Sequence, residues 1–114
     1  MIERYSRKEV KAIWDDYNKY SIWLKIEITA AEAMEKFKII PRGVTKKVKS
    51  KAKINVKKIL EIEKKVKHDV IAFLTSITEK SGKDARYLHK GMTSSDVLDT
   101  CFNLQLKQSG EFLL

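Results

Sequence analysis

Lys90-Gly91-Met92-Thr93-Ser94-Ser95-Asp96 is the stretch on which the architecture turns, because a glycine connection runs there into hydroxyls and one carboxylate at the head of an apolar-periodic run. Thr93 is placed to cap a helix, Asp96 to answer it from the third helical position, and the amides between them have no partner inside the helix. Such a mouth suits a carboxylate or phosphate, since the free N–H groups and the positive end of the helix dipole face the same way. The same residues also serve as a plain cap, because serine and threonine are favoured at helix starts everywhere. Behind them Val97, Leu98, Cys101, Leu104 and Leu106 recur at helical spacing, and Gly91 gives the connection its backbone freedom.

Upstream the helical period persists. Ser6-Arg7-Lys8-Glu9 reads as a capping box opening a short helix through Trp14. A longer helix carries Ile22, Ile26, Ala30, Ala33 and Phe37 on one row, while a second row, Trp23, Glu27, Ala31 and Met34, is broken by charge. Pro41 and Gly43 are expected to end it. A short basic helix over about 45–53 precedes a helix capped by Asn55, with Val56, Ile59, Leu60, Ile62 and Val66 on one broad side. His68-Asp69 interrupts the pattern, through a kink or a new helix capped by Asp69, before Val70, Phe73, Leu74 and Ile77 resume it. Ser81-Gly82 stops that run, and 84–88 suits a single turn. Nothing alternates like a strand, and no repeat, linker or cysteine-based metal spacing is present. The expected class is therefore all-α. The apolar Phe112-Leu113-Leu114, with no stop beyond Gly110, reads as a helix cut short and as the edge of a larger helical protein, the alternative being a chain complete in itself that dimerises through that end.

A chain of 114 residues makes at most one small domain, burying roughly 60 to 65% of its extended-chain surface. Its 43% hydrophobic content and formal charge of +9 fit a solvated globular surface rather than a disordered tail. With Cys101 alone, an internal disulfide is excluded and a reducing compartment is the simpler expectation. No targeting run or membrane span is visible, so a cytoplasmic protein is expected and no membrane partner. The densest basic run, Lys46 to Lys58, holds seven lysines and no acid. It lacks the arginines and aromatics of a sequence-reading nucleic-acid surface, which favours a solvated helical face and leaves nonspecific polyanion attraction open.

Both histidines fall at junctions, His68 beside Asp69 and His89 just before the Gly91 turn. An imidazole there can donate to phosphate or carboxylate, or simply close a helix end with a hydrogen bond. Arg4 and Tyr5 pair a charge-assisted fork with a rigid hydroxyl, which suits anion binding or ordinary terminal docking. Trp14, Trp23 and Phe37 are expected to pack between helices rather than stack on bases.

Taken in order, Met1-Ile2-Glu3-Arg4-Tyr5, Ile59-Leu60-Glu61-Ile62-Glu63, His68-Asp69-Val70-Ile71-Ala72-Phe73 and Gly91-Met92-Thr93-Ser94-Ser95-Asp96-Val97-Leu98-Asp99-Thr100 give the chain a further meaning. It resembles the amino-terminal segment of the adenylosuccinate lyase family, within the fumarase and aspartase superfamily. The resemblance implies a helical amino-terminal domain over 1–92 and the start of a central helical domain over 93–114. It implies that the full enzyme eliminates fumarate from adenylosuccinate and from succinylated aminoimidazole carboxamide ribotide, as a homotetramer without cofactor or metal. Arg4 and Tyr5 would hold the nucleotide end. His68, supported by Lys67 and Asp69, would meet the phosphate; Thr93 and Ser94 would hold a succinyl carboxylate, and His89 would shape the pocket. Lys67 departs from the arginine common at that position, which exchanges a planar fork for a flexible point charge. The family's catalytic acid histidine and loop serine belong to later segments, so the resemblance assigns no catalytic residue here and implies that these residues alone are inactive. Two other classes remain, a basic helical nucleic-acid-binding module and a noncatalytic helical assembly module.

Overall fold

A computed structural model describes residues 3–113, with side chains at 8–82 and 85–111. Six α-helices follow in order: α1 (Glu3–Ile13), α2 (Asp16–Lys36), α3 (Val44–Lys51), α4 (Val56–Val66), α5 (Asp69–Ser81) and α6 (Ser94–Leu113), with a 3₁₀ turn over Gly82–Tyr87 after α5. The described residues are thus all-α.

The long α2 is the axis of the assembly, touching α1, α3, α4 and α6, while α5 packs on α4, α3 and the 3₁₀ turn. The buried face of α2 corrects the expectation. Tyr20, Trp23, Glu27 and Ala31 are buried together with Ile22, whereas the rest of the uninterrupted apolar row is half-buried at Ile26 and Ala30 and exposed at Ala33 and Phe37. Phe37 lies past the last turn of α2. The Lys38 N–H donates to the Glu35 carbonyl and the Ile39 N–H to the Met34 carbonyl, with Lys38 left-handed at φ 60°. This Schellman closure, not Pro41 or Gly43, ends the helix.

Tyr20, Trp23 and Phe73 form the aromatic centre, with centroids 5.2 to 5.9 Å apart. Val48, Ile59, Val70, Ile77, Val97 and Cys101 close around it. Burial raises the Cys101 thiol pKa, opposed by the Trp23 indole and the Lys19 ammonium. Of the basic run, all seven lysines are exposed and Val48 is the residue that anchors α3, so this face is solvated.

Caps position the remaining pieces. Asp15 Oδ1 accepts the Asn18 N–H at 2.8 Å to start α2, and Asn55 Oδ1 accepts the Lys58 N–H at 3.1 Å to start α4. α3 begins at Gly43 without a side-chain cap of its own. Glu35 of α2 supplies one, accepting the Thr45 N–H at 2.6 Å and its hydroxyl at 2.7 Å. The Thr45 bonds hold the Glu35 carboxyl below its ordinary range. α1 starts at Glu3, so Ser6 lies inside the helix rather than capping it. The Ile13 carbonyl at its end accepts from Asn18 Nδ2 at 2.6 Å and from the buried Gln105 at 3.1 Å, which ties α6 to the α1–α2 corner. Trp14 reinforces that corner, donating to Ser109 Oγ at 2.8 Å and meeting Phe102 edge to face. α6 runs straight through Gly110, so that glycine is not a stop.

Candidate functional site

The site begins where α4 breaks. Lys67 turns left-handed at φ 55° and its N–H closes the helix on the Glu63 carbonyl at 2.7 Å. The chain then extends at His68, which is itself the cap of α5: His68 Nδ1 accepts the Ile71 N–H at 3.2 Å. The new helix is therefore capped by His68 and not by Asp69. Asp69 Oδ1 accepts the adjacent Val70 N–H at 2.7 Å, so its carboxylate also sits at the positive end of α5.

With Nδ1 accepting, the neutral imidazole carries its proton on Nε2. That nitrogen lies 3.3 Å from Ser94 Oγ, across 26 residues of sequence. His68 thus donates to the serine oxygen, and the serine hydroxyl hydrogen is left to donate elsewhere. The head of α6 is arranged to the same end. The Thr93 N–H is held by Asp96 Oδ2 at 2.8 Å, and the Asp96 N–H by the Thr93 carbonyl at 3.1 Å. The Thr93 amide is thereby committed to the cap, and its hydroxyl remains for a ligand. The Ser94 and Ser95 amides, in the first turn, have no acceptor among the described residues and can receive an oxyanion.

His89 stands in the turn that delivers the chain to this mouth. It is left-handed at φ 65°, followed by Gly91 at φ 73°, and its carbonyl accepts the Met92 N–H at 3.2 Å. Its Nδ1 lies 2.6 Å from Glu27 Oε1. Glu27 was not singled out from the sequence as a site residue, although a carboxylate breaking an apolar helical row is a signal of a buried partner. Lys67 is exposed and lines a shallow cleft with Leu60, Glu63 and Lys64.

His68, Asp69 and Ser94 are therefore brought together from two distant segments, with Thr93 one residue away on the backbone and His89 on the turn before it. The side chains of Arg4 and Tyr5 lie outside the described residues. What the arrangement can do is bind an anion: one hydroxyl set by an imidazole, a second hydroxyl, and amides at a helix start.

Comparison with known proteins first defines the class. The structure matches the crystal structure of fumarate lyase from Mesorhizobium sp. BNC1 with a TM-score of 0.80 at 18% identity, over 89% of this chain and 25% of that one. The helical domain has the fumarase/aspartase-like lyase fold. No family model matches the chain. At the level of sequence the whole chain closely matches an amino-terminal portion of adenylosuccinate lyases. It is 44% identical to adenylosuccinate lyase of Bacillus subtilis over 114 residues and 43% identical to that of Staphylococcus saprophyticus over 113 residues. The chain spans 26% of the length of each.

Proposed function

We propose that this chain is the substrate-binding wall of an adenylosuccinate lyase. The full enzyme eliminates fumarate from adenylosuccinate, giving AMP, and from succinylated aminoimidazole carboxamide ribotide. In each reaction a base removes the proton from the succinyl carbon beside a carboxylate. Donors hold the resulting dianion, the carbon–nitrogen bond breaks toward nitrogen, and an acid protonates the departing nitrogen. The observation that carries this is the 3.3 Å approach of His68 to Ser94, in a chain 44% identical to such a lyase along its whole length.

Ser94 and Thr93 hold the succinyl carboxylate through hydroxyls and the first-turn amides. His68, Asp69 and Lys67 form the edge facing the phosphate, and Arg4 and Tyr5 the nucleotide end. Proton transfer belongs to residues outside this chain, so these 114 residues alone do not turn over. Loss of one preorganised donor already costs about 3 to 4 kcal/mol of barrier. The working enzyme is a cytoplasmic homotetramer without cofactor.

The test is fumarate release from adenylosuccinate by a full-length enzyme carrying this segment, against its Ser94→Ala variant. Ser94→Ala is expected to lower kcat/KM by roughly 10- to 100-fold, the span of one hydrogen bond to a charged group, with unfolding unchanged. Equal turnover in the two proteins would remove the carboxylate role of Ser94.

A further inference from the structure

Glu27 is the one charged side chain among the buried described residues. Its side chain is 0% exposed, and its partner His89 is 21% exposed, at 2.6 Å. Its second oxygen, Oε2, meets no donor among the described residues. An ionised carboxylate in such a place is strongly destabilising unless a donor compensates it, and His89 is the compensating group. A 2.6 Å separation leaves no room for two facing lone pairs, so one proton lies between Nδ1 and Oε1. His89 also holds a left-handed backbone, at φ 65°, a conformation uncommon outside glycine.

We propose that Glu27 is a positioning residue that holds His89, on the turn leading into α6, with its proton on Nδ1 and leaves Nε2 as its unprotonated nitrogen. The two histidines of the site then have opposite tautomers. His68, whose Nδ1 accepts from Ile71, presents an Nε2–H donor. His89 presents an Nε2 able to accept. The carboxylate reaches 62 residues along the chain to anchor the turn that sets the start of α6, so α2 governs both the orientation of the imidazole and the placement of Thr93 and Ser94. The consequence for turnover rests on the lyase function proposed above; the tautomer does not.

The experiment is ¹⁵N NMR of the imidazoles in the full-length enzyme carrying this segment, with turnover measured on the same samples. In the unsubstituted protein His89 is expected to show a protonated Nδ1 and an unprotonated Nε2, whereas a neutral His89 with its proton on Nε2, or an imidazolium protonated on both nitrogens, would overturn the proposal. Glu27→Gln retains an acceptor and is expected to keep the Nδ1–H pattern. Glu27→Ala is expected to release His89 to the mixed pattern of a free imidazole and to lower kcat by roughly 10- to 100-fold. Should Glu27→Ala fail to fold, the unsubstituted protein and Glu27→Gln still decide, because a Gln variant with a free-imidazole pattern contradicts the hydrogen bond. A folded Glu27→Ala enzyme with altered tautomer but unchanged kcat would reduce Glu27 to a structural residue and defeat the proposal. An unsubstituted enzyme that releases no fumarate, yet shows the Nδ1–H pattern, would remove the lyase assignment and leave the Glu27–His89 pair standing.

Discussion

Replacing His68 separates two jobs that one imidazole performs. Nδ1 caps α5 by accepting the Ile71 N–H at 3.2 Å, and Nε2 reaches Ser94 Oγ at 3.3 Å. His68→Asn keeps the first, since asparagine is among the best N-caps, but its shorter side chain ends on the capping side and does not reach the serine. His68→Ala loses both. Removal of a cap costs about 1 kcal/mol, which corresponds to roughly fivefold faster opening of the first turn of α5 when exchange follows local unfolding. The Ser94 contact adds about 0.5 to 1.5 kcal/mol. The assay is amide hydrogen exchange at Ile71 in the full-length enzyme carrying this segment, run beside the fumarate release that the proposed function expects of it. His68→Asn is expected to exchange at Ile71 as the unsubstituted protein does and His68→Ala several-fold faster, while both lose turnover. If Ile71 exchanges alike in the alanine and unsubstituted proteins, the capping argument is wrong. If His68→Asn turns over normally, the Ser94 contact has no part in the site.

Two further perturbations probe the frame. The folded Glu35 carboxyl is held low because its ionised form accepts twice from Thr45; its stabilisation is therefore full above the ordinary carboxylate value of about 4.3 and lost as pH falls through the depressed folded value. Urea midpoints measured downward from neutral pH should lose this acid-dependent component in Glu35→Gln, and parallel curves would count against it. Tyr20 is buried, its hydroxyl has no partner among the described residues, and burial, with Asp16, Glu63 and Asp69 adding, pushes its pKa up to about 12. Stability tied to the neutral phenol is then complete below about 10 and lost as pH rises toward the folded value. Tyr20→Phe, which removes only the unpaired hydroxyl, should change unfolding free energy by less than about 1 kcal/mol and abolish that alkaline loss. Tyr20→Ala should cost about 3 to 5 kcal/mol through the aromatic centre. A Phe variant as damaged as the Ala variant would mean that the hydroxyl has a partner.

Much of the fold was legible along the chain. The apolar period marked α4 through Ile59, α5 through Val70, Phe73 and Ile77, and α6 through Val97 and Cys101, all of them buried. Asn55 was readable as a cap because its partner amide is only three residues away. The ends of α1 and α2 were less legible. Ser6 has the residue types of a capping box but lies within α1, and Lys38 closes α2 by adopting a left-handed conformation that its composition does not advertise. Of the site, His68, Asp69, Thr93 and Ser94 were visible as polar residues at helix ends, while Glu27 looked like a flaw in an apolar row.

The sequence by itself determined the helices, because the 3.6-residue period, helix caps and glycine turns act over a few neighbouring residues. It also marked the polar residues that stand at the helix junctions. Only the tertiary structure decided that Glu27 of α2 is buried, because a carboxylate can enter the core only when a donor is delivered to it, and that donor, His89, lies 62 residues away. It likewise decided that His68 caps α5 and meets Ser94 across 26 residues. Those pairings depend on how helices pack against one another, and no local period encodes the side-chain partners that packing creates.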